Sequence, residues 1–254
     1  KTMARMSDGF VDLVVTSPPY DNLRDYNCYS FPFEGIAKEL YRVIKDGGVL
    51  VWVVNDSTID GSETLTSCKQ KIYFREDCGF NIHDTMIYEK NSGAPADNVR
   101  YFQQFEYMFV LSKGKPKTIN FLMDRKNRFP ERWGGGRTFR EKDGTLSDRE
   151  TKYSGNEFGK RFNIWRYNTG FGYSTKDELA FEHPATFPEK LAADHIYTWS
   201  NEGDLVYDCF MGSGTTAKMA HIQKRNWIGS EISKEYVELA DKRLAPYLAQ
   251  TSLF

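Results

Sequence analysis

Short apolar runs alternate with amphipathic stretches along most of the chain. Residues 11–15 and 49–54 are nearly continuous apolar runs, the pattern of parallel strands buried on both faces. Between them, Ile36, Leu40, Val43 and Ile44 recur at helical spacing, and Gly47-Gly48 predicts the end of that helix. Later segments repeat the alternation: a helix over 63–78, strands over 83–88, 107–111, 205–208 and 226–231, and helices from 217 and over 235–244.

This alternation predicts one fold class. Strands separated by helices form a doubly wound sheet, and two late successive strands form a hairpin. We therefore expect an α/β fold with a Rossmann-like, mostly parallel sheet and an antiparallel edge hairpin.

The first apolar run ends at Thr16-Ser17-Pro18-Pro19-Tyr20. Proline lacks an N–H and fixes φ, so the sheet ladder stops here and the backbone is held extended. Open α/β sheets place their chemistry at the carboxyl ends of strands. A hydroxyl, outward carbonyls and a flat ring at this place suit an exocyclic amino group and its base, although an ordinary proline-rich turn has the same residues.

A glycine-rich turn follows the strand at 205–208, in the sequence DCFMGSGTT over residues 208–216. Gly212 and Gly214 allow a tight turn and a close approach to a ligand, and Thr215 or Thr216 is expected to cap the next helix. No Lys follows the second glycine, so this is not a phosphate-binding P-loop. Glu231 ends the next strand, where an acid can accept hydrogen bonds from ribose hydroxyls. A plain βαβ crossover would look similar.

Charge is distributed unevenly along the chain. The whole sequence has a net charge of −1, but residues 113–166 hold 15 Lys/Arg and 7 Asp/Glu, and aromatic residues interleave with them. Cations attract phosphates, and arginines also read guanine edges. This region predicts a basic insertion that binds nucleic acid, with a solvated basic insertion as the simpler interpretation. The DNA-binding candidates are Arg125, Lys126, Arg128, Arg132, Arg137 and Arg140.

Composition narrows the class of protein. The chain has 254 residues, of which 40% are hydrophobic and 27% charged, enough for a large core. No apolar run approaches the roughly 18–20 residues that span a bilayer, and no signal peptide is visible. Four scattered cysteines and four scattered histidines give no metal-ligand spacing, so no metal is expected. We expect a cytoplasmic protein without a membrane partner.

The two motifs, in this order, closely resemble those of the S-adenosylmethionine-dependent DNA amino-methyltransferases, which methylate adenine N6 or cytosine N4. The TSPPY motif comes first, the basic region second and DCFMGSGTT last, which resembles the β-type arrangement of that family. The resemblance covers nearly the whole chain, including residues 45–48, 105–107, 183–185 and 235–244. It implies a catalytic half at 1–112, a target-recognition region at 113–180 and a cofactor-binding half at 181–254.

The resemblance also implies roles for individual residues. Ser17 and the Pro18 carbonyl would accept the amino protons of a flipped-out base, with Pro19 in the same motif, and Tyr20 would stack on that base. The expected residues of the S-adenosyl-L-methionine site are Asp208, Phe210, Gly212, Ser213, Gly214, Thr215 and Glu231. Asp208 is expected to act on the methionine amino group or the loop backbone. Double-stranded DNA would be the substrate, and similar enzymes of bacterial, archaeal or phage origin include homodimers and partners of restriction nucleases.

Several alternatives stay open at this point. Ser at the first motif position is more often found with cytosine-N4 enzymes, but adenine and cytosine remain nearly even. Carbon-5 methylation is excluded, since that chemistry needs a cysteine that usually follows proline, and no Pro-Cys pair occurs. An RNA or protein-amide N-methyltransferase, or a catalytically dead DNA-binding module, is the remaining alternative.

Overall fold

A computed structural model of the protein describes residues 2–19, 31–94, 99–128, 136–150, 155–170, 172–183 and 187–251. The helices are α1 (Phe33–Val43), α2 (Thr66–Glu76), α3 (Glu189–Trp199), α4 (Thr215–Ile222) and α5 (Lys234–Thr251), with 3₁₀ turns at Met3–Arg5 and Glu178–Glu182. The strands are β1 (Val11–Thr16), β2 (Ile44–Val54), β3 (Thr58–Ile59), β4 (Ser62–Glu63), β5 (Asn81–Ala94), β6 (Gln103–Ser112), β7 (Arg125–Lys126), β8 (Gly136–Arg140), β9 (Leu146–Glu150), β10 (Phe158–Gly159), β11 (Ile164–Tyr167), β12 (Leu205–Asp208) and β13 (Asn226–Gly229).

Seven strands form the main sheet, in the order β11-β5-β6-β2-β1-β12-β13. Only β6 runs against its neighbours; the pairs β11–β5, β2–β1, β1–β12 and β12–β13 are parallel. The predicted α/β fold is thereby confirmed, including the antiparallel hairpin of β5 and β6. The structure adds β11 outside that hairpin, so the hairpin does not form the sheet edge.

The central strands are buried on both faces. In β2, Leu50, Trp52 and Val54 belong to a core shared with α1 and α2, while the alternating residues Val51 and Val53 are equally buried. Since successive side chains of a strand point to opposite faces, both faces must be covered. This explains the continuous apolar runs that predicted a parallel sheet.

The predicted helix end at Gly47-Gly48 is wrong. Helix α1 ends at Val43, and the glycine pair lies within β2. Val11 pairs with Ile44 and Leu13 with Val49, so β2 advances five positions while β1 advances two. The glycines form an irregular bulge, in which Gly47 takes φ +81° and its N–H donates to the Lys113 carbonyl.

The chain divides into two compact units. One comprises Lys1–Asn120 with Asn163–Phe254 and contains the main sheet; the other is Phe121–Phe162. The smaller unit contains the two-stranded sheets β7–β10 and β8–β9, and it holds 11 Lys/Arg against 7 Asp/Glu. It lies inside the region 113–180 expected for target recognition, from which β11 joins the main sheet. The functional division at 112 and 180 stays a prediction.

Candidate active site

Two sequence motifs meet at the carboxyl edge of the sheet because β1 and β12 are adjacent. Thr16, the last residue of β1, donates from Oγ1 to Oδ1 of Asp208, the last residue of β12, at 2.6 Å. Ser17, Pro18 and Pro19 continue from β1, with Pro18 buried and the other two half-buried. Tyr20 lies outside the described residues. The structure thus places the beginning of the glycine-rich turn directly beside the proline motif.

Asp208 is a buried acid that organises the turn after it. Its side chain is 2% exposed, and Oδ1 also accepts the backbone N–H of Phe210 at 3.0 Å. Burial raises the pKa of this carboxyl and the hydrogen bond from Thr16 lowers it. Burial has the larger effect, so the pKa is raised to about 6. Of its two expected roles, the contact with the loop backbone is present.

The glycine-rich turn continues to the start of α4. Gly212 has φ +48° and Gly214 has φ +82°, both in the left-handed region that glycine tolerates best. The expected threonine cap is wrong, since Gly214 precedes α4 without a side-chain cap. Thr216 instead donates from Oγ1 to the Val15 carbonyl at 3.3 Å, and Thr215 is buried against the turn.

Glu231 closes the turn from the neighbouring strand. It follows β13, which pairs with β12, and its Oε2 accepts the Gly212 N–H at 2.9 Å. Oε1 accepts the N–H groups of Ile232 and Ser233, at 2.8 and 2.9 Å, as the chain enters α5. The acid expected to bind ribose therefore lies against the glycine turn, at the carboxyl ends of two adjacent strands.

Aromatic rings form one wall beside the turn. Phe210 meets Phe31 edge-on, with ring centroids 5.5 Å apart, and lies 6.2 Å from Trp52. Trp52 is fully buried and donates from Nε1 to Gln70 Oε1 at 2.8 Å. The orientation of Phe210 is thus fixed by the core beneath it.

A buried charge cluster holds the turn from behind, and no motif in the sequence predicted it. Arg243, from α5, is 2% exposed and donates to the Ser213 carbonyl and, at 2.9 Å, to Ser213 Oγ. Its other nitrogens donate to Asp177 Oδ2 at 2.8 Å and Glu189 Oε1 at 3.3 Å. Lys218 of α4 adds a second cation, 2.6 Å from Glu189 Oε1. Two cations and two acids from four segments therefore neutralise one another's charge behind the turn.

The basic candidates have different surroundings within the smaller unit. Lys126, Arg128 and Arg140 are exposed. Arg125 is half-buried, donating from Nε to the Lys160 carbonyl and lying 4.7 Å from the centroid of the Phe162 ring. Arg137 lies in β8, where only its backbone is described, and Arg132 lies outside the described residues.

Two further observations concern the described part of the chain. No group of three His, Cys, Asp or Glu residues there is arranged to hold a metal ion. None of its helices combines the length and apolar character needed to cross a bilayer.

Comparison with known proteins identifies the class. A family model described as DNA methylase, the N6_N4_Mtase family, matches residues 11–242. The orphan methyltransferase M.BamHII of Bacillus amyloliquefaciens is 58% identical over 248 residues, covering 96% of this chain and 92% of that protein. The type II methyltransferase M.BglII of Bacillus subtilis is 26% identical, covering 92% of this chain and 63% of that protein.

Solved structures agree on the fold. A PvuII DNA methyltransferase described as cytosine-N4-specific superposes with a TM-score of 0.67 at 17% identity, over 98% of this chain and 88% of that one. A complex of M1.HpyAVI with SAM gives a TM-score of 0.57 at 25% identity, over 96% and 92% of the two chains. Fold and site define an α/β DNA methyltransferase. The chain belongs to the N6/N4 DNA methylase family, which confirms the expected family and enzyme class.

The pH dependence of stability tests the buried state of Asp208. The folded protein holds the Asp208 proton more tightly than the unfolded chain, so stability is lost as pH rises from about 4 to about 6. Asp208→Asn carries no such penalty. As the pH rises over this range, the wild type should therefore lose up to about 3 kcal/mol in its free energy of unfolding relative to the variant.

Urea unfolding at a series of pH values measures this difference. Thr16→Val removes a hydrogen bond that lowers the Asp208 pKa, so it should move the window to higher pH. A difference between Asp208→Asn and wild type that stays constant from pH 4 to 7 would contradict the assignment.

The charge cluster predicts that replacing Arg243 lowers the stability of the protein more than replacing an arginine outside the cluster. Arg243→Met leaves two acids against one cation, and we expect a loss of about 3 kcal/mol in the free energy of unfolding. Arg243→Met/Asp177→Asn restores charge balance and should recover part of that loss. Among the described residues, Arg225 donates to neutral groups of Ser200 and Gln223, so Arg225→Met is the control with a smaller cost. Equal losses for the two single variants would show that charge balance is not the cause.

Proposed function

We propose that this chain methylates the exocyclic amino group of a flipped-out DNA base, adenine N6 or cytosine N4, at a specific sequence. The observation that carries the proposal is the hydrogen bond from Thr16 to Asp208, because it sets the SPP motif beside the glycine turn. The relative that is 58% identical is named a methyltransferase, and the match covers 92% of its length.

The cofactor is S-adenosyl-L-methionine, which supplies an electrophilic methyl group when bound. The residues that line its site are Asp208, Phe210, Gly212, Ser213, Gly214, Thr215 and Glu231. Glu231 suits the ribose hydroxyls, although three backbone N–H groups already use three of its roughly four acceptor positions. Asp208 acts through the backbone of Phe210, and Arg243 fixes the Ser213 end of the turn.

The catalytic residues are Ser17, Pro18, Pro19 and Tyr20. A base inside a duplex cannot reach a pocket at the sheet edge, so it leaves the stack at a cost of roughly a few kcal/mol. Ser17 Oγ and the Pro18 carbonyl accept the amino protons and direct the nitrogen lone pair towards the methyl donor. Pro19 keeps the backbone extended, and Tyr20 stacks on the base. Transfer is direct, so these residues act by positioning and by electrostatic stabilisation.

Double-stranded DNA is the substrate, and the basic smaller unit binds it. Its exposed cations Lys126, Arg128 and Arg140 suit phosphate contacts, and Arg132 and Arg137 belong to the same proposed set. Arg125 is the exception, because its guanidinium packs on Phe162 and the Lys160 carbonyl and so stabilises the unit itself. A homodimer and a cognate restriction nuclease stay predictions.

Both target bases remain in the proposal. The PvuII structure described as cytosine-N4-specific shares 17% identity with this chain, a level at which the likeness concerns the fold. Ser17 and the Pro18 carbonyl accept protons from either amino group, so the identity of the base needs a product analysis.

Methyl transfer to DNA tests the function directly. Isotope-labelled S-adenosylmethionine is incubated with mixed-sequence duplex DNA, and the nucleosides are analysed by mass spectrometry. Labelled N6-methyldeoxyadenosine or N4-methyldeoxycytidine is expected. Ser17→Ala and Tyr20→Ala should bind the cofactor normally in calorimetry and lose at least about 100-fold in turnover, the lower range for a positioned polar or stacking group.

Tyr197→Ala is a matched control for loss of a tyrosine, since Tyr197 is exposed on α3. Turnover near the wild-type level in the Tyr20→Ala variant would overturn the catalytic assignment. Label in RNA or protein, but not in DNA, would overturn the substrate.

The basic unit predicts a salt-dependent contribution to DNA binding. Each phosphate contact that is removed lowers the slope of log K against log salt concentration by about 1. Lys126→Ala/Arg140→Ala should therefore weaken binding to mixed-sequence duplex and reduce the slope by about 2, as measured by fluorescence anisotropy. Lys234→Ala, an exposed lysine of α5, is the control that should leave the slope unchanged. An unaltered slope in the double variant would place the phosphate contacts elsewhere.

A further inference from the structure

We propose that Tyr101 and Phe102 contact DNA bases next to the flipped base, filling or supporting the disrupted stack. The inference rests on the proposed function, because it assumes a base that leaves a duplex at this edge of the sheet. Nothing in the motifs pointed to these residues, which precede β6 in the tip of the β5–β6 hairpin.

The segment is anchored on both sides of the two rings. The Arg100 guanidinium donates to the Gly61 carbonyl, and Gln103 Nε2 donates to Asn55 Oδ1 at 3.1 Å. Asn55 follows β2 directly, and Gly61 lies in the turn between β3 and β4. Residues 100–103 of the tip therefore lie beside the residues that follow the carboxyl end of β2, and the aromatic pair sits between two hydrogen bonds.

This position is next to the proposed catalytic motif. Thr16 of β1 pairs with Trp52 of β2, so Ser17 and Asn55 both follow the carboxyl ends of neighbouring strands. Adjacent strands lie about 4.8 Å apart. A base that enters the edge beside Ser17 therefore passes close to the anchored tip.

Both rings are largely exposed to solvent. Tyr101 is 99% exposed and Phe102 is 69% exposed, with Val99 beside them at 83%. Aromatic residues within β6 pack together instead: Tyr107 stacks on Phe109 with ring centroids 5.5 Å apart. Three large apolar side chains within four residues, on an anchored segment, mark a contact surface.

DNA is the occupant that this location favours. Extruding a base leaves a gap in the stack, and proteins that distort duplexes insert apolar side chains between base steps. An aromatic face stacks on any base without sequence preference, so the pair can serve this step whatever sequence the basic unit reads. A second copy of this chain is the competing occupant, and the experiment must separate the two.

Photocross-linking tests the contact without requiring turnover. The 254-residue chain, saturated with S-adenosylhomocysteine, is irradiated with duplex DNA in which 5-iododeoxyuridine replaces thymidine. Trypsin cleaves after Arg100, and tandem mass spectrometry of the peptide 101–113 should locate the cross-link at Tyr101 or Phe102. Cross-links to other peptides only would overturn the proposal, even if methylation is confirmed.

Variants test the consequence for the reaction. Tyr101→Ala/Phe102→Ala should lose about tenfold or more in kcat/KM on duplex DNA, whereas Tyr101→Phe should retain most of the activity. The control is Tyr197→Ala, because Tyr197 lies near the end of α3 that leads to the opposite, amino edge of the sheet. Cofactor affinity, measured by calorimetry, should stay unchanged in every variant.

Light scattering tests whether a second copy of the chain, instead of DNA, covers the tip. If the double variant changes from dimer to monomer and still binds and methylates duplex DNA at the wild-type level, the tip is a subunit interface and the proposal is wrong. If the wild type methylates no DNA but the cross-link at 101–102 is found, the proposed reaction fails while the contact stands.

Discussion

The structure depends on one buried carboxylate. Asp208 ends β12 and has almost no access to water, so its oxygens need partners within the protein. Thr16 supplies one from β1 and the Phe210 N–H supplies another from the turn. A single side chain thus fixes the end of the catalytic strand relative to the first residues of the glycine turn. The cost is a carboxyl whose pKa is raised to about 6 by burial, which a stable core must offset.

Charged side chains from outside the glycine turn, one at each end, hold its conformation. Glu231 accepts the Gly212 N–H from the next strand, and Arg243 donates to the Ser213 carbonyl from α5. Arg243 is in turn balanced by Asp177 and Glu189, which come from segments before β12. Such a scaffold keeps a flexible glycine backbone in one conformation, as electrostatic catalysis and cofactor binding require.

The carboxyl edge combines a rigid centre with surfaces left open to solvent. Buried strands hold Ser17 and Asp208, while Tyr101 and Phe102 in the anchored tip are exposed. The smaller unit, taken by itself, carries the exposed cations Lys126, Arg128 and Arg140. This division is consistent with a methyltransferase that binds a small cofactor in a fixed site and a large, deformable duplex on its outside.

The sequence by itself determined the alternation of strands and helices, the two motifs and their order, because apolar periodicity and glycine or proline chemistry are local properties. The position of β11 outside the hairpin and the bulge at Gly47-Gly48 could not be predicted from the sequence, since strand pairing joins residues far apart in the chain. Nor could the sequence reveal the partners of Arg243. Hydrogen bonds between α5 and residues 30 or more positions earlier exist only once the tertiary structure brings those segments together.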